Sequence, residues 1–314
     1  MEHAPLLSVT LTPYTPADAE RLAQGLSVLL AEDPTLSARP GPEPDETTIG
    51  VIGELQLDIV VHRLAREFGV TAAIGRPQVE YRERVTRHAE GEIKYGRSSP
   101  AIPEYAHVKV RVAPRGAEEG NVVNDEILEG TIPAAFMPAV YEGVADALNT
   151  GVLAGYPLAD VEVTIFDGTY HDVDSTASAF RLATLLAVHD AVQKARPILV
   201  QPIMRIEVSL PSRDHEDVVR GLLRRGASLQ MLEEEPQWSR IYALVPLSNL
   251  FGYAAELQAE TRGRGTVTTT CHCYDTVTPR DDDDEKRGGL GVREPLHPRP
   301  APRSGHVALP LEEA

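Results

Sequence analysis

Apolar residues follow two spacings along this chain, and the order of the two spacings occurs twice. Residues 7–11 alternate between apolar and polar, which predicts a strand with one buried face. A capping sequence, T-P-A-D, begins at Thr15, and leucines then recur at helical spacing up to Leu30. Further patterns complete the order β-α-β-β-α-β by residue 74, and this order returns between residues 202 and 275. The repeated order predicts two ferredoxin-like domains.

The segment between the two repeats has a different pattern. Strand-like stretches interrupted by GRSSPAIPEY come first, and a helix is predicted over residues 133–151. A strand over residues 159–170 and a long Ala- and Leu-rich helix that ends before Pro197 follow. Ser175 or Asp174 fits the N-cap of this long helix. The sequence therefore predicts an α+β chain in which two similar domains flank a third.

Two further predictions concern the C-terminal part of the chain. A single helix is predicted over the stretch LSNLFGYAAELQAETRG, residues 247–263. Residues 278–314 are rich in Pro, Gly and charge, which predicts a disordered tail. Its run of four aspartates, residues 281–284, is typical of a solvated stretch rather than of a metal site.

Composition narrows the class of protein. No apolar run approaches the roughly 20 residues that span a bilayer, and the N-terminus lacks the pattern of a secretory signal. The cytoplasm is therefore the expected location. The formal net charge is −17. This charge opposes RNA binding, because phosphate contacts need Lys and Arg, unless the basic groups are concentrated on one face.

No metal or cofactor is expected from the sequence. Cys271 and Cys273 are the only cysteines, and two thiols cannot complete a tetrahedral site. We expect both to be small buried hydrophobes. The G-x-x-x-x-G-K-[ST] loop that cradles nucleotide phosphates does not occur in the 314 residues. We therefore expect that the protein is not an enzyme and that any GTP hydrolysis needs another chain.

Three stretches resemble the C-terminal half of elongation factor G. They begin with IGVIGELQLDIVVHRL at Ile49, with IPAAFMPAVYEGVADALNTG at Ile132 and with VPLSNLFGYAAELQAETRGRGTV at Val245. The resemblance is collinear from about Leu7 to Val277. It implies domain III over residues 5–77, a domain IV like domain 2 of ribosomal protein S5 over 78–197, and domain V over 198–277. Nothing in the sequence resembles the family's GTPase domain or its domain II.

The resemblance also implies a binding site. In the family, domain IV is a finger that reaches transfer RNA and messenger RNA at the decoding centre, and two loops form its tip. In one loop, by resemblance, His171 lies nearest the RNA, and Asp167, Gly168, Thr169 and Tyr170 shape the turn. Histidine suits this position because it can stack on a base and gain charge near a phosphate.

The other tip loop departs from the family pattern. Its glycine-rich sequence is replaced by AIPEYAHVKV, which keeps Tyr105, His107 and Val108. By resemblance, Tyr105 and His107 are expected contacts to RNA. Alanine and proline restrict the backbone where glycine would let it approach RNA, and Glu104 adds repulsion toward phosphate. We expect this change to affect translocation more than the fold. The basic candidates for phosphate contact near this loop are Arg97, Lys94 and Lys109.

In domain V the resemblance includes the sequence TRGRGT. Arg262, Gly263, Arg264 and Gly265 then form a candidate phosphate-binding turn facing ribosomal RNA of the large subunit. A tight turn with solvated arginines is the equally weighted alternative.

Three hypotheses for function follow. The first is a ribosome-binding protein derived from elongation factor G without its own GTPase, acting passively, beside a GTPase on another chain, or as a truncated regulatory paralogue. The second is an interaction module that uses the same fold on a protein or a non-ribosomal RNA; the net charge and the altered loop favour it. The third is a hydrolase, because Asp167, His171, Asp172, Asp174 and Ser175 are close in sequence. No G-x-S-x-G elbow precedes Ser175, so catalysis is not expected.

Overall fold

The structure is a computed structural model that describes residues 5–97, 104–128, 130–276 and 307–308. Ala101 and Pro103 of the altered tip loop, the run of four aspartates, and all of the tail after residue 277 except 307–308 lie outside the described residues. The chain forms two compact units. One is built from residues up to Glu80 and from Pro202–His272, and the other from Tyr81–Gln201 and the strand end from Cys273.

The N-terminal part of the first unit contains a small sheet with two helices. Its elements are β1 (Leu7–Pro13), α1 (Pro16–Glu32), β2 (Ser37–Pro40), β3 (Thr47–Val51), α2 (Glu54–Phe68), β4 (Ala72–Ile74) and β5 (Gln78–Val79). The strand order is β4-β1-β3-β2, with antiparallel neighbours, and β5 also pairs with β1. This is the strand order of a ferredoxin-like fold, which confirms the predicted fold.

Local chemistry explains why α1 begins where it does. The Thr15 hydroxyl accepts a hydrogen bond from the Asp18 amide at 3.1 Å, as in a capping box. Hydrogen bonds from the Thr15 hydroxyl and from the Arg21 guanidinium lower the pKa of the Asp18 carboxyl to about 2. Leu22, Leu26 and Leu29 are buried at helical spacing, so α1 presents one apolar face to the sheet.

The second unit is a four-stranded sheet with two helices packed on one face. Its elements are β6 (Arg82–Val85), β7 (Ala89–Arg97), β8 (Glu104–Pro114), β9 (Val122–Asp125), α3 (Met137–Asn149), β10 (Val161–Thr169) and α4 (Ala177–Lys194). The order is β7-β8-β10-β9; β9 runs parallel to β10 and the other pairs are antiparallel. Phe180 of α4 is fully buried and stacks on Phe136 with ring centroids 5.0 Å apart.

The C-terminal part repeats the first fold. Its elements are β11 (Pro197–Pro211), α5 (His215–Arg224), β12 (Ser228–Glu234), β13 (Trp238–Pro246), α6 (Tyr253–Glu260), β14 (Thr266–Thr276) and the short β15 (Val307–Ala308). The order is β12-β13-β11-β14, again that of a ferredoxin-like domain, and β6 pairs with the first residues of β11. Strand β15, within the tail predicted to be disordered, pairs with β4.

Two sequence expectations for this part are wrong. The helix predicted over residues 247–263 is a 3-10 turn at Leu247–Asn249 followed by α6, because Gly252 adopts φ 71°, which a right-handed helix cannot contain. Cys271 is exposed and Cys273 half-buried, so the thiols are not core residues. They lie on β14, the edge strand of its sheet. Burial nevertheless raises the pKa of the Cys273 thiol.

No helix in the described part of the chain is long and apolar enough to cross a membrane. Over the same residues, no group of three or more His, Cys, Asp or Glu side chains is arranged to hold a metal ion.

Candidate functional site

Two segments that are distant in sequence meet at one end of the sheet in the second unit. The Tyr105 amide donates to the Asp174 carbonyl at 2.8 Å, and the Ser175 hydroxyl donates to the Tyr105 carbonyl at 2.9 Å. These bonds join the start of β8 to the loop between β10 and α4. We call Tyr105, His107, Thr169, His171 and Ser175 the tip cluster. Arg97, at the end of β7, pairs with Glu104 on β8, so three of the four sequence stretches that carry the predicted site residues lie together.

A chain of side-chain hydrogen bonds crosses this end of the sheet. The Tyr105 hydroxyl lies 2.8 Å from the Thr169 hydroxyl, which lies 3.1 Å from Nδ1 of His107. Nε2 of His107 lies 2.9 Å from a carboxylate oxygen of Glu92 on β7. His107 and Thr169 are direct cross-strand partners on β8 and β10, which fixes their separation. His107 is 4% exposed, so both ring nitrogens are used inside the protein.

The loop after β10 exposes two aromatic rings. The His171 amide donates to the Ser175 hydroxyl at 2.9 Å, and the Ser175 amide donates back to the His171 carbonyl. Nδ1 of His171 lies 3.1 Å from the Asp174 carboxylate. The His171 side chain is 57% exposed, and its ring meets that of Tyr105 edge to face at 6.5 Å. Tyr170 is also exposed, at 41%. These rings are the groups available for stacking.

Gly168 and Asp167 have structural roles beneath this loop. A Cβ atom on Gly168 would lie 2.5 Å from the His107 carbonyl oxygen and 2.7 Å from Ile132, so the two strands require glycine here. The Asp167 carboxylate lies 3.0 Å from Nζ of Lys109. The Lys109 ammonium and the Gly168 amide lower the pKa of Asp167, and the same ion pair raises the pKa of Lys109. Lys109 is thus already paired within the protein.

The positions of residues at the end of β7 and the start of β8 change the interpretation of the altered loop. Arg97 ends β7, and its side chain lies outside the described residues. Ala106, expected to restrict a loop that approaches RNA, is fully buried within β8 and so faces the core. Glu104 is half-buried and accepts from Ser178 at 3.4 Å.

Acidic groups outnumber basic ones at this end of the sheet. The described carboxylates are Glu92, Glu104, Asp167, Asp172 and Asp174, and the described lysines are Lys94 and Lys109. Lys94 is 67% exposed and lies 4.0 Å from Glu92. Among the side chains that the structure describes here, basic groups are therefore not concentrated.

The C-terminal turn, Thr261–Gly265, is closed by its own bonds. Arg262 and Gly263 have φ of 54° and 76°. The amides of residues 262–265 donate to Ala259, Gln258, Thr261 and the Thr261 hydroxyl, respectively. These amides are therefore not free to cradle a phosphate. Arg264 lies 3.4 Å from Asp214 and donates to the Thr261 carbonyl, whereas Arg262 is exposed.

Sequence models of one family match nearly the whole chain. Elongation factor G domain III matches residues 3–76, elongation factor G domain IV matches 77–196, and the elongation factor G C-terminus matches 198–285. The chain belongs to the elongation factor G family. Its matched domains III, IV and V correspond to the three sheets described above with their helices, and the tip cluster lies within domain IV.

A solved structure agrees with this assignment. A crystal structure of a protein from Thermus thermophilus is 33% identical, with a TM-score of 0.68. The match covers 88% of the present chain and 41% of the other. The present chain thus spans less than half the length of that relative.

One sequence prediction for domain IV is wrong, and one interaction was missed. The N-cap of α4 is Thr176, whose hydroxyl accepts from the Ala179 amide, and not Ser175 or Asp174. Ser175 is instead held by Tyr105 and by the amide of His171, so the His171 ring does not activate it as a hydrolase would require. Glu92 also went unrecognised. Its position two residues before Lys94 on a strand places it on the same face, but only the β7–β8 register brings it to His107.

Proposed function

We propose that this elongation factor G-related chain binds the ribosome and that its tip cluster contacts RNA of the decoding region, in translation or its regulation. Tyr105, Tyr170 and His171 present rings and hydroxyls, and Lys94 and Arg97 are the candidate phosphate contacts. The 314 residues bind the ribosome and position the tip cluster on it, and any GTP hydrolysis that accompanies binding takes place outside them.

The meeting of the two tip segments carries this proposal. The bonds from Tyr105 and Ser175 fix one segment on the other, so the exposed His171 ring is held edge to face against the half-buried Tyr105 ring before any ligand arrives. Single-stranded bases are recognised by stacking on such rings. A preorganised pair loses less conformational entropy on binding than two mobile side chains do.

Sedimentation with ribosomes tests the proposal. The purified chain should pellet with ribosomes at about 50 mM salt and progressively less at about 200 mM, because phosphate contacts release counterions. Replacement of both Tyr170 and His171 by Ala should reduce the pelleted fraction. The matched control is His88→Ala, since His88 is exposed and precedes β7 at its other end. A chain that stays in the supernatant at every salt concentration would contradict the proposal.

The charge of the tip favours a second candidate, an interaction module for a basic protein. Five described carboxylates against two lysines would attract Lys- and Arg-rich segments and repel phosphates. The two candidates differ in what the Tyr170 and His171 double variant loses. Under the first, binding to protein-free ribosomal RNA weakens. Under the second, the unaltered chain does not bind RNA, and the double variant changes only binding to a basic protein. Replacement of Glu92 by Gln and of Asp172 by Asn should weaken that binding the most.

A further inference from the structure

The hydrogen-bond chain at the tip has a fixed direction at one end. The carboxylate of Glu92 can only accept, so Nε2 of His107, 2.9 Å away, carries a hydrogen and donates to it. Nδ1 is therefore the atom that gains or loses a proton when the ring titrates. Because His107 is 4% exposed, Nδ1 has one neighbour for this purpose, the Thr169 hydroxyl at 3.1 Å.

When the His107 ring is neutral, the hydroxyl hydrogens of Thr169 and Tyr105 point along the hydrogen-bond chain toward His107. Nδ1 then accepts the Thr169 hydroxyl hydrogen, so the Thr169 oxygen accepts from the Tyr105 hydroxyl at 2.8 Å. The Tyr105 hydrogen is used inside the protein, and its oxygen offers a lone pair to a ligand.

The protonated ring reverses this order. One proton from solvent binds Nδ1, which now donates to the Thr169 oxygen. Thr169 turns its own hydrogen toward the Tyr105 oxygen, and the Tyr105 hydrogen is released to donate outward. No covalent bond between heavy atoms changes.

We propose that His107 is a positioning residue that sets the hydrogen-bond polarity of Tyr105. The tip cluster presents a donor, suited to a phosphate or carbonyl oxygen, when His107 is charged, and an acceptor when it is neutral. The identity of the ligand rests on the proposed function; the reversal itself does not. Predicted as an RNA contact, His107 acts in this proposal through Tyr105.

Charged groups on each neighbouring strand lie near His107. Glu92 on β7 touches the ring and favours its cation. Lys94, the cross-strand partner of His107 on β7, opposes the cation and lies 4.0 Å from Glu92. On β8 and β10, Lys109 and Asp167 pair with each other at 3.0 Å.

Nuclear magnetic resonance of the full chain tests the reversal without a ligand. The nitrogen shifts of His107 and the Cζ shift of Tyr105 would be followed between about pH 5 and 8.5, which brackets the ordinary range of histidine. We expect the Tyr105 shift to move with the titration of His107. Thr169→Val should abolish this coupling while His107 still titrates, and Thr169→Ser should restore it. A Tyr105 signal that ignores His107 in the unaltered chain, or follows it equally in T169V, would overturn the proposal.

A second measurement separates this proposal from the proposed function. Ribosome affinity should change about 2- to 10-fold across the same pH range, the effect of one hydrogen bond. The change should disappear in Tyr105→Phe and T169V, in a background of His171→Gln that removes the other tip histidine. If no affinity is found at any pH, the proposed function fails, and the magnetic resonance result alone decides the reversal.

Discussion

The tip cluster and the C-terminal turn were predicted as RNA contacts on the same family resemblance, yet they are built differently. The tip cluster joins residues up to 70 positions apart, as in the bond from Ser175 to Tyr105. The bonds that close the C-terminal turn span at most five residues, with one long-range contact from Arg264 to Asp214. A site held by long-range bonds is preorganised by the whole domain. In a site held by local bonds, only the groups that the turn does not itself bond can meet a ligand, here the side chain of Arg262.

Substitution of one glycine in each region should show this contrast most strongly, as a difference in the stability lost. Gly168→Ala places a Cβ atom 2.5 Å from the His107 carbonyl, which is backbone and cannot move cheaply. We expect a loss of ~3 kcal/mol in local stability. Gly263→Ala has open space around it and only the cost of φ 76°, about 1 kcal/mol.

Hydrogen exchange of residues 104–114 and 253–265 measures both effects. Equal losses of protection in the two variants would show that the two regions are not built differently. Loss confined to the C-terminal segment in G168A would contradict the close approach of β8 and β10.

Ser175→Ala should have the next largest effect. It removes the hydroxyl that donates to the Tyr105 carbonyl and accepts from the His171 amide. The expected cost is ~1–2 kcal/mol, with faster exchange of the His171 amide in particular. Ser178→Ala is the matched control, because the Ser178 hydroxyl contacts the side chains of Thr176 at 3.0 Å and Glu104 at 3.4 Å rather than the backbone of Tyr105 or His171. If the control and S175A exchange alike, the loop does not depend on β8.

The same distinction explains what could be predicted from the sequence. The N-cap of α1 at Thr15 is local, and the structure confirms it. Helix α6 was predicted too long because the left-handed turn at Gly252 lies inside a stretch with helical spacing of apolar residues. The partnership of Glu92 with His107 depends on strand register, and that of Ser175 on a loop returning to β8. Periodicity contains neither kind of information.

Acid should weaken the tip cluster by a smaller amount. The Lys109 ammonium and the Gly168 amide lower the pKa of Asp167, so the ionised carboxylate stabilises the folded state. This contribution is present above the ordinary pKa of aspartate, about 3.9, and is lost as pH falls through the lowered value. Lys109→Met removes the larger cause. Carbon resonances of the Asp167 carboxyl should report a pKa below the ordinary value in the unaltered chain and a higher one in K109M. An unchanged titration in the variant would show that the ion pair does not exist in solution.

The smallest expected effect on stability belongs to Arg262, and it is the sharpest test of the C-terminal turn. Its side chain is exposed and its backbone amide already donates to Ala259, so Arg262→Ala should leave stability within about 0.5 kcal/mol. If this arginine meets a phosphate, the slope of log affinity against log salt for ribosome binding should fall by about 1. Arg264→Ala should instead lower stability, through its bonds to Asp214 and Thr261, while it leaves the slope unchanged. Should R262A leave both the affinity and the slope unchanged, the turn serves only to end α6, and RNA contact in this chain would then depend on the tip cluster.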